Sequence, residues 1–417
     1  MGIKNRLILM NFLQFFIWGA WLLTIGAYWF QTKQWSGTEF GAIFSTMGIA
    51  SLFMPAIAGI IADRWVNAEK LYGIFHIMGA IILFLVPMVN DPSTMFWVML
   101  INMIFYMPTI SLSITVAYSS MNKAGMNIIK EYPPVRVWGT IGFIAALWII
   151  SLTHFESSSA QFYVASASAL LLGLYSFTLP KCPPLGSGHK KSFISALGLN
   201  AFSLFKNAKM ALFFIFAMLL GASLQLTNAY GDTFLHDFAN IDAYKDLVAV
   251  KYPAIIMSIS QISETLFILT IPFFLRKFGI KKVMLLSMLA WILRFGLFGY
   301  GDPGTGLWMI VLSCIIYGMA FDFFNISGSL FVETQSEPSI RASAQGLFMM
   351  MTNGFGAFLG SRLSGIIIDN YFLLGDGKFD WKGIWLTFAA YSLVVAILFA
   401  IFFKHKHDPK ALENVHH

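Results

Sequence analysis

The chain has 417 residues, 58 % of them apolar and only 11 % charged. Soluble domains carry about 25 % charged residues, so a soluble fold of this length, which needs far more polar surface, is excluded. The net charge of +7 would suit nucleic acid, but the basic residues sit in short loops between apolar runs, which is the pattern of membrane topology and not of a binding patch.

Met1 to Arg6 is basic, and the apolar run after it continues to Phe30. That is too long for the core of a cleavable signal and has no small-residue cleavage site, so it reads as a first span. Roughly 20 apolar residues cross a bilayer as a helix. On that measure the hydropathy predicts twelve spans, at 7–30, 40–62, 71–89, 94–118, 137–153, 161–180, 210–231, 252–275, 283–300, 305–331, 342–368 and 383–403. The longest connection, 181–209, follows the sixth span and holds Pro183-Pro184, Gly186-Ser187-Gly188 and His189-Lys190-Lys191. Such a composition marks a linker. The expectation is an all-α membrane protein of two six-helix halves, residues 1–180 and 210–417. Cys182 lies beside a basic loop and Cys314 inside an apolar run, so no disulfide is expected.

One set of loops and termini holds most of the Lys and Arg. The alternate loops hold only Lys33, Lys245, Lys251, Lys378 and Lys382. Basic loops stay cytoplasmic, which places both termini and the linker inside. The halves also look related. Pro134-Val-Arg136 opens span five as Pro338-Ser-Ile-Arg341 opens span eleven, and Tyr106 of span four has a counterpart in Tyr317 of span ten. The loop after span two, Asp63-Arg64-Trp65, is matched by Arg276 to Gly279 after span eight. Duplication of this kind is typical of transporters, with a substrate site near the midplane between the halves.

Polar groups at membrane depth are the informative ones, because a charge at a helix centre costs at least ~2.5–3.5 kcal/mol. Asp322 lies deep in span ten among aromatics. Low dielectric disfavours its charge, so an acid placed there can load a proton from one side and release it to the other as hydration changes. The plain alternative is a protonated or paired structural aspartate. Gln261 and Glu264 in span eight are three residues apart and share a helical face, and Gln225 and Asn228 in span seven repeat that spacing. Amides offer donors and acceptors in fixed pairs, suited to hydroxyls and base edges, although interhelical clamps use the same groups. Arg136 heads a face shared with Thr140 and Phe143, with a cytoplasmic surface charge as the simpler reading. Phe143, Tyr317 and Phe321 have the form of stacking partners for a flat ring, worth about 1–3 kcal/mol per base in nucleic-acid sites. Arg294 in span nine is expected to snorkel outward, with a pair to an acid as the alternative, and Arg362 in span eleven to snorkel likewise. Asp63 and Arg64 read as loop residues, Gly356 and Gly360 as a small-residue packing face, and His76 as a buried or helix-end histidine.

Gly59 to Arg64 (GIIADR) is similar to the loop motif of the major facilitator superfamily, although Val66 to Lys70 lacks its downstream glycine and paired basic residues. Within that superfamily the chain resembles the bacterial nucleoside:proton symporters over nearly its whole length. The resemblance rests on Phe12 to Trp21 (FLQFFIWGAW), Ser258 to Leu269 (SISQISETLFIL), Phe321 to Ser329 (FDFFNISGS) and Ile340 to Gly346 (IRASAQG). It implies proton-driven import of nucleosides across the inner membrane by alternating access. Arg136, Thr140, Phe143, Gln225, Asn228, Gln261, Glu264, Tyr317 and Phe321 would contact substrate, and Asp322 would carry the coupling proton. Residues 232–251 depart from the pattern as an Asp-rich external loop. The partners implied are nucleosides, protons and membrane lipids, with no nucleic acid, no cofactor, no metal and a monomeric state. Symport of another neutral polar solute, such as a sugar, is the alternative. An enzyme is not expected: there is no His-Glu-x-x-His metal site, nucleophile elbow or phosphate-cradling glycine loop.

Overall fold

Apolar runs of this length leave the backbone no water to bond, so each must satisfy its own N–H and C=O groups, and the helix does so within one segment. The computed structural model describes residues 2–184, 199–337, 340–375 and 378–405. The Gly186 to Lys191 part of the linker and Pro338 lie outside the described residues. The chain divides into two compact units, Met1–Leu197 and Gly198–His417.

In the first unit, α1 (Ile3–Gly19) ends in a turn. α2 (Ile25–Ala27) then runs into a π-helical segment, Tyr28–Lys33. α3 (Gly37–Arg64) starts at a capping box in which Ser36 Oγ accepts from Glu39 N and Glu39 Oε2 accepts from Ser36 N. This satisfies two of the donors that every helix start leaves free. α4 (Ala68–Leu85) and α5 (Pro92–Lys123) follow. Asp91 caps α5 by accepting from Thr94 N at 2.8 Å, and that bond holds its carboxyl below the usual carboxylate range. α6 (Ile128–Leu152) and α7 (Ala160–Ser176) complete the unit. α1 packs on α6 and α7, α3 on α5, and α4 on α5 and α7. Glu69, in the stretch that departs from the superfamily loop motif, is buried and accepts from Cys182 N at 2.7 Å, tying the start of α4 to the segment after α7.

The second unit opens with a 3-10 segment, Leu199–Lys206. Then come α8 (Ala208–Asp237), α9 (Val248–Lys251), α10 (Pro253–Ile268) and α11 (Ile271–Tyr300). α12 (Leu307–Gln335) and α13 (Arg341–Met349) follow. A π-helical segment, Met350–Gly356, leads directly into α14 (Ala357–Tyr371), and α15 (Trp381–Phe402) closes the unit. α11 packs on α12 and α15, α10 on α12, and α8 on the π-helical segment and α14. Both cysteines are free and buried.

Among the described residues, eight helices are long and apolar enough to cross a membrane. They carry expected spans two to five, seven, nine, ten and twelve. The other four expected spans are built differently. The first is interrupted after Gly19, the sixth is the 17-residue α7, and the eleventh is the α13, π-helix and α14 series. The eighth is α10 plus the first turns of α11, which kinks at Gly279. At φ 74° that position takes the left-handed conformation which glycine adopts without Cβ strain. Two boundaries are corrected. Span five was expected from residue 137, but α6 begins at Ile128 with Pro133 and Pro134 inside it. Asp232 to Asp237, expected in an external loop, are the last turns of α8, where buried Asp232 lies 3.5 Å from His236.

Gly356 and Gly360 do form a packing face. A Cβ at Gly360 would come within 2.6 Å of Ala222 Cα, and one at Gly356 within 2.5 Å of Met218 O. Gly360→Ala is therefore expected to force α14 off α8, with a loss of about 1–3 kcal/mol. A thermal unfolding midpoint equal to the parent's in detergent would contradict this packing.

Candidate functional site

In the second unit α12 carries the aromatic and acidic candidates. Tyr317 and Phe321 are one helical turn apart, and their rings stack with centroids 5.8 Å apart and planes 5° from parallel. Asp322 follows near the middle of the helix and is 4 % exposed. α10 is held close to α12. Ser263 donates from its hydroxyl to the Ile315 carbonyl, and a Cβ at Gly318 would come within 2.6 Å of Ser263 O. This approach brings half-buried Glu264 into electrostatic interaction with both Tyr317 and Asp322. Gln261 lies one turn earlier on α10. Gln225 is buried on α8, with half-buried Asn228 one turn further on.

Three buried oxygens of this group have no hydrogen-bond partner among the described residues: Asp322 Oδ2, Gln225 Oε1 and Gln261 Oε1. Leaving a buried acceptor unpaired costs about 1–3 kcal/mol. A candidate site in which all three recur on neighbouring helices is suited to a polar ligand and to a proton. The stacked rings add a flat apolar surface beside these acceptors.

Arg294 corrects the expectation of an outward-reaching side chain. It is fully buried on α11. Its Nη1 donates to Ser313 O at 2.6 Å, Nε to Thr227 Oγ1 at 3.4 Å and Nη2 to Ser260 Oγ at 3.5 Å. The guanidinium also lies over the rings of Tyr317 and Phe298, at 4.7 and 4.9 Å. Snorkelling needs a path to water along the helix, and here the side chain finds acceptor partners and ring faces inside the unit instead. Arg362 is exposed on α14. Asp63 and Arg64 are exposed at the end of α3.

In the first unit Arg136, Thr140 and Phe143 are half-buried on α6. Because α6 starts early, Arg136 lies in its third turn and not ahead of it. Its guanidinium centre is 4.0 Å from the Phe15 ring centroid, a cation–π contact that a freely solvated surface charge would not make. Phe15 adjoins Gln14, the hub of a buried network. Gln14 Nε2 donates to Thr109 Oγ1 at 2.9 Å, and its Oε1 accepts from Tyr72 OH at 2.7 Å. His76 Nε2 lies 2.8 Å from the same oxygen, and Tyr106 OH donates to Gln14 O at 2.8 Å. His76 is thus a buried histidine inside this network.

Ten candidates therefore fall in two groups: Arg136, Thr140 and Phe143 in the first unit, and the other seven on α8, α10 and α12 of the second. Sequence reasoning missed the small polar residues behind them. Thr227, Ser260 and Ser313 carry no charge to draw attention, yet Thr227 adjoins Asn228 and Ser260 adjoins Gln261. Gln14 is an amide in an apolar run, three residues after Asn11, and that signal was available. Gln14→Leu is expected to strand the Tyr72 hydroxyl and the His76 ring, at about 1–3 kcal/mol for each unpaired group. The check is a thermal unfolding midpoint several degrees lower; an unchanged midpoint would show that Gln14 is not the hub.

A family model described as a nucleoside H+ symporter matches residues 1–408. The xanthosine permease of Escherichia coli (strain K12) is 54 % identical over 415 residues, covering 99 % of each chain. The nucleoside permease NupG of the same organism is 52 % identical over 420 residues and covers 100 % of both. A crystal structure of the nucleoside transporter NupG matches with a TM-score of 0.92 at 52 % identity, over 97 % of this chain and 100 % of that one. A POT family transporter solved with 5-aminolevulinic acid matches at a TM-score of 0.72 and 15 % identity, over 98 % of this chain and 96 % of that one. At that identity the likeness is one of fold, that of the major facilitator transporters.

Proposed function

The chain belongs to the nucleoside H+ symporter family, and from that premise we propose how its residues couple cargo to protons. It is a multi-pass membrane transporter that imports nucleosides together with protons, not an enzyme. In our reading Asp322 carries the coupling proton. The observation behind this is its buried carboxyl in the middle of α12, with one oxygen unpartnered among the described residues and a second acid, Glu264, in electrostatic reach. Two acids so close in low dielectric disfavour a double negative charge, so uptake of one proton and of one neutral, hydrogen-bonding cargo relieve the same strain.

Gln225, Asn228, Gln261 and Glu264 supply the hydrogen bonds to cargo, and Tyr317 and Phe321 stack on its base. Arg136, Thr140 and Phe143 add contacts from the first unit. Transport proceeds by alternating access of two halves, 1–180 and 210–417, joined by the 181–209 linker. A bound ligand drives such a cycle only through different affinity for the two states. The Lys and Arg asymmetry of the loops supports an inner-membrane protein with both termini cytoplasmic. It works as a monomer among lipids and has no nucleic-acid partner.

Asp322→Asn is expected to abolish proton-driven accumulation of uridine in proteoliposomes while leaving exchange of nucleoside across the membrane. Full uphill uptake by that variant would remove Asp322 as the coupling residue. Cargo class is read from competition: unlabelled nucleosides should displace labelled uridine and hexoses should not. Displacement by hexoses would favour the sugar-symport alternative.

A further inference from the structure

Arg294 stands behind the candidate site without being part of it. It hydrogen-bonds to all three helices bearing the second unit's candidates. From α11 it reaches Thr227, next to Asn228 on α8. It reaches Ser260, next to Gln261 on α10, and Ser313, one turn before Tyr317 on α12. Ser313 Oγ donates back to Arg294 O at 2.9 Å, so α11 and α12 are tied in both directions. Its guanidinium carbon lies over the Tyr317 ring, 4.7 Å from the centroid, and Tyr317 in turn stacks on Phe321. None of its partners among the described residues is a carboxylate. A buried cation spends ~2.5–3.5 kcal/mol or more at membrane depth, and an ordinary ion pair is not what offsets that cost here.

We propose that Arg294 is a positioning residue for nucleoside binding: its three-way fork fixes the spacing of α8, α10 and α12, and its charge holds the Tyr317 ring in the plane that a nucleobase stacks on. The inference rests on the cargo role given above to Tyr317. The planar fork is essential to it. A lysine keeps a charge over the ring but presents a single nitrogen, which has no means of serving Ser313 O, Ser260 and Thr227 together in fixed geometry.

The test is uridine uptake by proteoliposomes holding the parent, Arg294→Lys, Arg294→Gln, Tyr317→Leu and the Arg294→Lys, Tyr317→Leu double variant. Each rate is normalised to the monodisperse, folded fraction. Positioning acts on binding, so Arg294→Lys should raise KM about fivefold or more, and Arg294→Gln further, with Vmax per folded molecule held within about threefold. Adding Arg294→Lys to Tyr317→Leu should raise KM by a clearly smaller factor than Arg294→Lys does alone, because the part of its effect that runs through the ring is already gone. A purely structural arginine would lower the folded yield and leave KM at the parental value. That result in Arg294→Lys, or KM effects that multiply in the double variant, would overturn the inference. Should Arg294→Gln fail to fold, Arg294→Lys, which keeps the buried charge, carries the test. An unchanged KM in Tyr317→Leu would instead sink the cargo-site reading itself. A raised KM there beside a parental KM in Arg294→Lys would sink only the role of Arg294.

Discussion

Holding charge away from water inside the second unit is the constraint on which the rest of the structure depends. A carboxyl on α12, a second on α10 and a guanidinium on α11 share one helical bundle. Each resists burial, and the bundle compensates each differently. Arg294 is dispersed over a carbonyl, two hydroxyls and two ring faces, so its charge is spread without an acid. Asp322 keeps one oxygen unpartnered among the described residues, and it is the carboxyl that we propose carries the proton.

Two of the helices that carry these groups, α10 and α11, are irregular. α10 stops short after 16 residues and α11 kinks at Gly279. The segment packed on α8 widens into a π-helix between Met350 and Gly356. π-helical turns leave backbone groups poorly matched and recur at functional sites. In the first unit the same device follows α2, at Tyr28–Lys33.

Much of this was legible in the sequence because hydropathy and charge are read residue by residue. An acid inside an apolar run, as at Asp322, announces itself whatever the fold. Helices as a class followed from the length of the apolar runs. What was illegible depends on direction and local winding. A π-helix or a turn inside a span leaves hydropathy unchanged, so the breaks after Gly19 and at Met350 were invisible, and twelve even spans were expected. Pro134-Val-Arg136 was read as the opening of span five, but α6 runs on from Ile128 with Pro133 and Pro134 inside it, which brings Arg136 into the helix. Arg294 was expected to point outward because the sequence does not state which way a side chain faces, and its partners Thr227, Ser260 and Ser313 are spread over 86 positions of chain. Asp232 was assigned to a loop for the opposite reason: its acidity outweighed a helix that simply continues to Asp237.

The most direct measurement is proton movement caused by cargo. Proteoliposomes loaded with a pH-sensitive dye and held without an imposed gradient would receive uridine on the outside. Lumenal acidification that depends on uridine, is lost in Asp322→Asn and vanishes with a protonophore is the expected result. Uridine entry with no change in lumenal pH would contradict a buried acid as the point where proton and nucleoside meet.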